Sequence, residues 1–352
     1  MFRQTIIVIA CLVSLLVPVS ATTHAAHAAT TAVSSGTYFD HMVVILMENE
    51  GYHSIIGQSC CPFQTGLAYY YSLASAYTAI LHPSLPNYLA ISSGDIHGVF
   101  NDCLPTTYPC NPGATCCPVP GQNTNLLDLL GPVSFKAYAA DYPINSGCYT
   151  GADVGKYAGR HFPWNYYLDN TSNSTRCSWL VKANTVTSTT SPENPDVLLN
   201  DLGSSSTAAN LMWLTPNNCD NSHDPCYGGY TNCQLIGCPG EADQYLSTVV
   251  PKILQSWIFQ NTRAVLVVTY DEAENIDAVT NQVVTILAGP VVNHHYQSFI
   301  PQNHYSWLAT VEKNWNLNCL RFDCTSIPMT EFFAVSPGIG CGNCDDDDQY
   351  AT

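Results

Sequence analysis

Two short apolar runs, Met42 to Met47 and Ala264 to Tyr270, are each cut off by oxygen-bearing side chains. Glu48-Asn49 follows the first and Asp271-Glu272 the second. Runs of this length that are apolar almost throughout predict strands covered on both faces, not half-exposed ones with alternating polarity. The same reading predicts strands over 41–47, 134–140, 210–214, 264–270 and 283–288. Helices are predicted over 64–76, 124–130 (with Thr124 as cap), 242–259 and 304–315. A further helix begins in the segment Tyr88 to Ser92, just after Ser84, and Asp95 to Cys117 is a loop rich in Pro and Cys. Strands alternating with helices predict an α/β fold, a three-layer α/β/α sandwich with a mostly parallel central sheet. No repeat or linker divides the chain, so one domain is expected over 37–340.

The flanks read differently. Arg3 precedes an apolar segment from Thr5 to Pro18, and Val19-Ser20-Ala21 supplies the small residues of a cleavage site. This predicts a secretory signal over 1–21, an uncleaved anchor being the rival, then a disordered spacer over 22–36. Residues 341–352 form an acidic tail carrying the run Asp345 to Asp348.

Cysteine usage agrees with export. Of 17 cysteines, Cys11 lies in the signal, and the remaining even set clusters in loops, as a disulfide framework does. The spacing of Cys341-Gly-Asn-Cys344 also admits zinc. The pairing is not readable from sequence. Two sequons, at Asn170 and Asn173, are compatible with glycosylation on a surface loop. A net charge of −17 with only ten Lys and Arg argues against nucleic acid as a partner and against stable membrane association through anionic lipid. A secreted protein is expected, its oligomeric state left open.

Open parallel sheets bind ligands at the carboxyl ends of their strands. Glu48, Asn49, Asp271 and Glu272 all follow such ends, and hard oxygen donors gathered there suit a divalent cation: calcium, magnesium or manganese, or zinc if histidines join. Between them lies His82-Pro83-Ser84-Leu85-Pro86-Asn87-Tyr88. A helix opening near Ser84 sets its hydroxyl where backbone N–H groups favour an anion. Together these point to metal-assisted hydrolysis of a phosphate ester. Taken singly, each element also has an ordinary explanation: Glu-Asn and Asp-Glu as helix caps, and a serine between prolines as a turn residue.

The segments HMVVILMENEGYHSIIG (41–57), HPSLPNYLAISSG (82–94), LMWLTPNNCDNSHD (211–224), LVVTYDEAE (266–274) and NHYSWLATVEKNW (303–315) occur in an order that resembles the phosphoesterase family. That family joins secreted acid phosphatases and bacterial phospholipases C, and its fold is similar to that of the alkaline-phosphatase superfamily. FKAYAADYP (135–143) and YAGRHFPWNYYLDN (157–170) resemble its intervening segments. The resemblance implies metal ligands at Glu48, Asn49, Ser84, Asp271 and Glu272, and a nucleophile at Ser84 that forms a phosphoenzyme. It further implies catalytic roles for His223, Asp224 and His304, with His223 or His304 protonating the leaving alkoxide. His82, His161, His294 and His295 are further candidates for the pocket. Two positions depart from the family pattern. Glu50 stands where members often carry a non-acidic residue, and Glu272 where some carry a second Asp.

The expected activity is therefore that of a secreted, metal-dependent phosphomonoesterase. Its rivals are a phospholipase C acting on phospholipid headgroups and a non-catalytic, disulfide-rich extracellular binding protein.

Overall fold

The computed structural model describes residues 34–105, 119, 124–186, 192–226 and 238–334. The expected signal segment, most of the spacer, the acidic tail and the Cys341/Cys344 pair lie outside the described residues.

Ten strands occur among the described residues: β1 His41–Met47, β2 Ser72–Ala74, β3 Tyr77–Thr78, β4 Phe135–Ala139, β5 Leu180–Lys182, β6 Leu211–Thr215, β7 Ala264–Tyr270, β8 Thr285–Ala288, β9 Tyr296–Ser298 and β10 Gln302–Asn303. Eight form one sheet in the order β5-β4-β6-β1-β7-β8-β2-β9, and β10 pairs with β3 separately. The large sheet is parallel except for β8, which runs antiparallel to both β7 and β2. Every residue of β1, β6 and β7 is buried, so the sheet centre is covered on both faces. Helices Pro62–Tyr70 and Pro239–Leu254 pack on each other, as do Ser84–Ser93 and His304–Trp315. This is the expected α/β architecture.

The expected and observed elements differ in three places. The helix expected over 64–76 ends at Tyr70, and β2 follows within the same stretch. The helix expected over 242–259 is two helices, because Ser256 takes an extended conformation between them. Around 124–130 only a 3-10 turn, Leu126–Asp128, forms, and Asn125 rather than Thr124 caps it.

Disulfides with both partners among the described residues, Cys148–Cys177, Cys219–Cys226 and Cys319–Cys324, brace the loops. Of the sequon asparagines, Asn170 is buried and its amide donates toward Asn125 and Trp164, whereas Asn173 is exposed and caps a short helix. No helix among the described residues is long and apolar enough to cross a membrane.

Gly94 ends the helix Ser84–Ser93 at φ 72°, and a Cβ there would sit 1.9 Å from Asp323 Oδ1. Asp323 in turn accepts the Leu320 and Arg321 amides. Gly94→Ala therefore meets both left-handed strain and a clash. A loss of about 2 kcal/mol or more is expected in urea unfolding, since left-handed strain alone costs roughly 1–2. An unchanged midpoint would contradict this packing.

Candidate active site

The site begins with strand register. β1 and β7 pair from His41↔Ala264 to Met47↔Tyr270, so the next residue on each strand, Glu48 and Asp271, emerges at the same level. A one-residue slip would drag a carboxylate between the apolar layers, which is costly without a partner. The ladder continues past the strands: the Asp271 amide donates to Met47 O, and the Asn49 amide donates to Asp271 Oδ1 at 3.0 Å. Asn49 makes this reach at φ 54°, a left-handed conformation that asparagine tolerates better than most residues. The Glu48 amide donates to Asn221 O, which ties β1 to the loop after β6.

Ser84 is the first residue of its helix and is 2% exposed. Its position is enforced by Asn87, whose Oδ1 accepts the Ile80 and Leu81 amides while its Nδ2 donates to Leu81 O and Pro83 O. That clamp holds the turn that delivers Ser84. Its Oγ lies 3.1 Å from Glu48 Oε2 and 3.2 Å from Glu272 Oε1. One turn later on the same helix face, the Tyr88 hydroxyl donates to Glu48 Oε1. Glu272 is held in turn by His82, whose Nδ1 meets Oε2 and whose Nε2 lies 3.1 Å from Ala278 O. The bond to Glu272, more than any other influence, raises the His82 pKa.

The histidines separate into distinct roles. His223 lies in the loop closed by Cys219–Cys226, with its Nδ1 2.8 Å from Asp224 Oδ1 and its ring 5.4 Å from that of His161. That partnership holds the Asp224 carboxyl below its ordinary range. His161 stacks on Tyr88 at 5.5 Å, and its Nε2 is 3.3 Å from Glu48 Oε2 without hydrogen-bond geometry. Burial, followed by the nearby Arg160, drives its pKa well down.

His304 does not reach the cleft. It is fully buried, with Nε2 2.6 Å from Asp271 O and Nδ1 3.2 Å from the Tyr77 hydroxyl. Burial lowers its pKa to about 4. Both nitrogens are thus engaged away from any substrate, so the geometry does not suit the leaving-group role expected of it. His294 and His295 pack with Tyr70 beyond the antiparallel strand β8, and His294 shares a cavity with Gly289 and Phe259 away from the carboxylates.

Three carboxylates, Glu48, Asp271 and Glu272, are buried together. Burial, then repulsion from Asp271, holds Glu48 well above the usual carboxylate range, while burial and then Glu272 does the same to Asp271. Two buried oxygens, Asn49 Oδ1 and Asp271 Oδ2, have no hydrogen-bond partner. Buried acceptors without donors, beside carboxylates in excess, fit a cation. Glu48, Asn49, Ser84, Asp271 and Glu272 are the residues that would hold it. Glu48, His161 and His223 form an adjoining donor set whose ligand atoms lie within 4.8 Å of one another.

The sequence does not single out Tyr88, and it marks His161 only as a candidate for the pocket. Tyr88 had one usable signal, its i+4 spacing from Ser84. His161 lies on a 3-10 turn with no periodicity to mark it.

The fold and site together define a hydrolase of phosphoric esters with an alkaline-phosphatase-like scaffold. The chain belongs to the Phosphoesterase family, whose profile it matches over residues 58–318. It is 27% identical to a phosphatidylinositol-3-phosphatase of Mycobacterium tuberculosis, with 86% of this chain and 85% of the relative covered. It is also 27% identical to a phosphate-repressible acid phosphatase of Penicillium chrysogenum, over 82% of this chain and 62% of the relative. The chain thus spans about three fifths of the fungal protein's length. Among solved structures, it is similar in fold to an alkaline-phosphatase-superfamily protein of Vibrio parahaemolyticus. The TM-score is 0.50 at 13% identity, covering 80% of this chain and 67% of that one.

Proposed function

We propose that this chain is an exported, metal-dependent phosphomonoesterase that works through a Ser84 phosphoenzyme. The observation that carries the reading is the Ser84 hydroxyl, set at a helix N-terminus and bracketed by Glu48 and Glu272. Relatives named as acid phosphatases support the substrate class.

A divalent cation at this site supplies positive charge that offsets the phosphoryl oxygens and lowers the serine hydroxyl pKa. Everything else falls to the side chains. Glu48 and Glu272 orient the Ser84 Oγ and draw its proton toward themselves. The oxygen attacks phosphorus, the ester P–O bond breaks, and the alcohol leaves while phosphoserine forms. Water then cleaves the phosphoserine, returning the hydroxyl and releasing phosphate. Asp224 fixes the Nδ1 side of His223, which leaves Nε2 to protonate the departing alkoxide. Tyr88 and His82 hold the two glutamates, and His304 holds the Asp271 backbone as a positioning residue.

Metal content and p-nitrophenyl phosphate turnover, measured on one preparation, test the reading directly. A metal-free, fully active protein would refute the metal role. Faster turnover of phosphatidylcholine than of any monoester would make the chain a phospholipase C.

The role of His223 has its own test. Alkoxides leave badly without a proton, while nitrophenolate needs little help. His223→Ala is therefore expected to cost about 10²-fold or more on glycerol phosphate and much less on p-nitrophenyl phosphate. Equal losses on the two substrates would assign His223 to binding.

A further inference from the structure

Beside the carboxylates lies a second polar cavity of about 300 Å³ that the proposed chemistry does not use. Glu50, His53, Ser54, Gln58, Cys60 and Asn275 line it, together with Pro239. Two of its walls continue segments that already carry the site. Glu50 is two residues past Glu48 on the extension of β1, and Asn275 is three past Glu272. The Ser222 hydroxyl, next to His223, donates to Glu50 Oε1 at 3.4 Å. Through Glu50 and Ser222 this annex is joined to the His223 loop.

Glu50 marks what the annex takes. Its side chain is buried, with the residue 1% exposed, and the Oε2 atom has no hydrogen-bond partner. A buried carboxyl oxygen that lines a cavity and lacks a donor is unmatched until a ligand supplies one. Other cavity walls are polar and hydrogen-bonded. The His53 amide and its Nδ1 are both anchored on Asp277 at 2.7 Å, and Gln58 Nε2 donates to His53 O at 2.9 Å. An apolar alkyl or aryl group would leave these polar groups dehydrated. A group bearing several hydroxyls suits such polar walls and can bond the one unmatched atom, Glu50 Oε2.

Building on the phosphomonoesterase reading above, we propose that this annex binds the alcohol portion of the substrate, and that the preferred substrates are phosphate monoesters of polyols. Glu50 is then a specificity residue that hydrogen-bonds a substrate hydroxyl. Sites built to bond a hydroxyl discriminate strongly against analogues that lack it, because their own polar groups are then left unpaired.

The experiment compares kcat/KM for glucose 6-phosphate and myo-inositol monophosphate with that for butyl phosphate and p-nitrophenyl phosphate. It uses the full metal-loaded chain, Glu50→Gln, and Ser54→Tyr, which fills the cavity from its rim. The wild-type chain is expected to prefer polyol esters over butyl phosphate by about tenfold or more. Glu50→Gln should narrow that ratio several-fold and Ser54→Tyr should erase it. If Glu50→Gln fails to fold, the Ser54→Tyr ratio decides. An active wild type with no polyol preference overturns the proposal, as does a preference that survives in Ser54→Tyr. Faster cleavage of phosphoethanolamine than of either polyol ester overturns it too, by assigning the annex to an ammonium group. Turnover of no monoester at all would instead sink the phosphomonoesterase reading, and this proposal with it.

Discussion

Ser84→Ala is expected to lower phosphomonoesterase turnover by on the order of 10³-fold or more while the protein folds as before. Removing a nucleophile takes away the covalent route, and losses of that size are usual when such a group is deleted. Folding should tolerate the change because the hydroxyl lies against Glu48 and Glu272 without filling a core volume. The turn that presents residue 84 is held by Asn87, whose four hydrogen bonds to residues 80, 81 and 83 do not involve the serine side chain. Two measurements check this: steady-state turnover of p-nitrophenyl phosphate, and mass spectrometry of acid-quenched protein for a phosphoserine at position 84. A variant that keeps a tenth of wild-type turnover would rule out the covalent role. The loss should appear in kcat, because the hydroxyl contributes most as the P–O bond forms.

The acidic centre was legible in the sequence because local signals and tertiary constraint agree there. The bounds of β1, β7 and the helix His304–Trp315 follow directly from polar residues that bracket apolar runs. Asn303 caps that helix, and Asn316 ends it at φ 52°. Glu48 and Asp271 could be read as neighbours only once both strands were taken as parallel and in register.

The missed strand within 64–76 has a physical source: pairing partners far away in the chain. β2 has three residues and exists through its pairing with β8 and β9, more than two hundred positions later. Nothing within 64–76 could announce it. The reversal of β8 is likewise a property of the whole sheet.

His304 shows the same limit at the level of chemistry. A histidine opening a helix beside an acidic motif suggests proton transfer, and only coordinates reveal that Tyr77 and the Asp271 carbonyl occupy both nitrogens. Glu50 is the converse case. It reads as an unwelcome negative charge near a phosphate, whereas in the fold it is buried, lines a cavity and keeps one oxygen without a hydrogen-bond partner.

Removing the bound cation is expected to abolish turnover, and adding back calcium, magnesium, manganese or zinc one at a time should restore it with the native ion. The same step should destabilise the fold. A ligand present at a hundred times its Kd stabilises the native state by about 2.7 kcal/mol, so chelation should lower Tm by several degrees. Asp271→Asn separates this linkage from general damage. Asp271 Oδ1 accepts the Asn49 amide, and an asparagine carbonyl retains that bond while deleting one negative charge from the buried trio. With metal present, the variant should bind less of it, turn over on the order of 10²-fold or more slowly, and melt below wild type. After chelation the order should reverse at neutral pH. The wild-type chain then buries Glu48, Asp271 and Glu272 together with no cation, and burial with mutual repulsion already holds Glu48 and Asp271 well above their ordinary range. Removing one of three crowded charges relieves that cost, so chelated Asp271→Asn should melt above chelated wild type. Calorimetry on the four samples, with metal content measured in each, decides the matter. A variant that melts below wild type in both states would show that Asp271 serves the fold through its hydrogen bonds alone, and the carboxylates would then need another explanation than a cation.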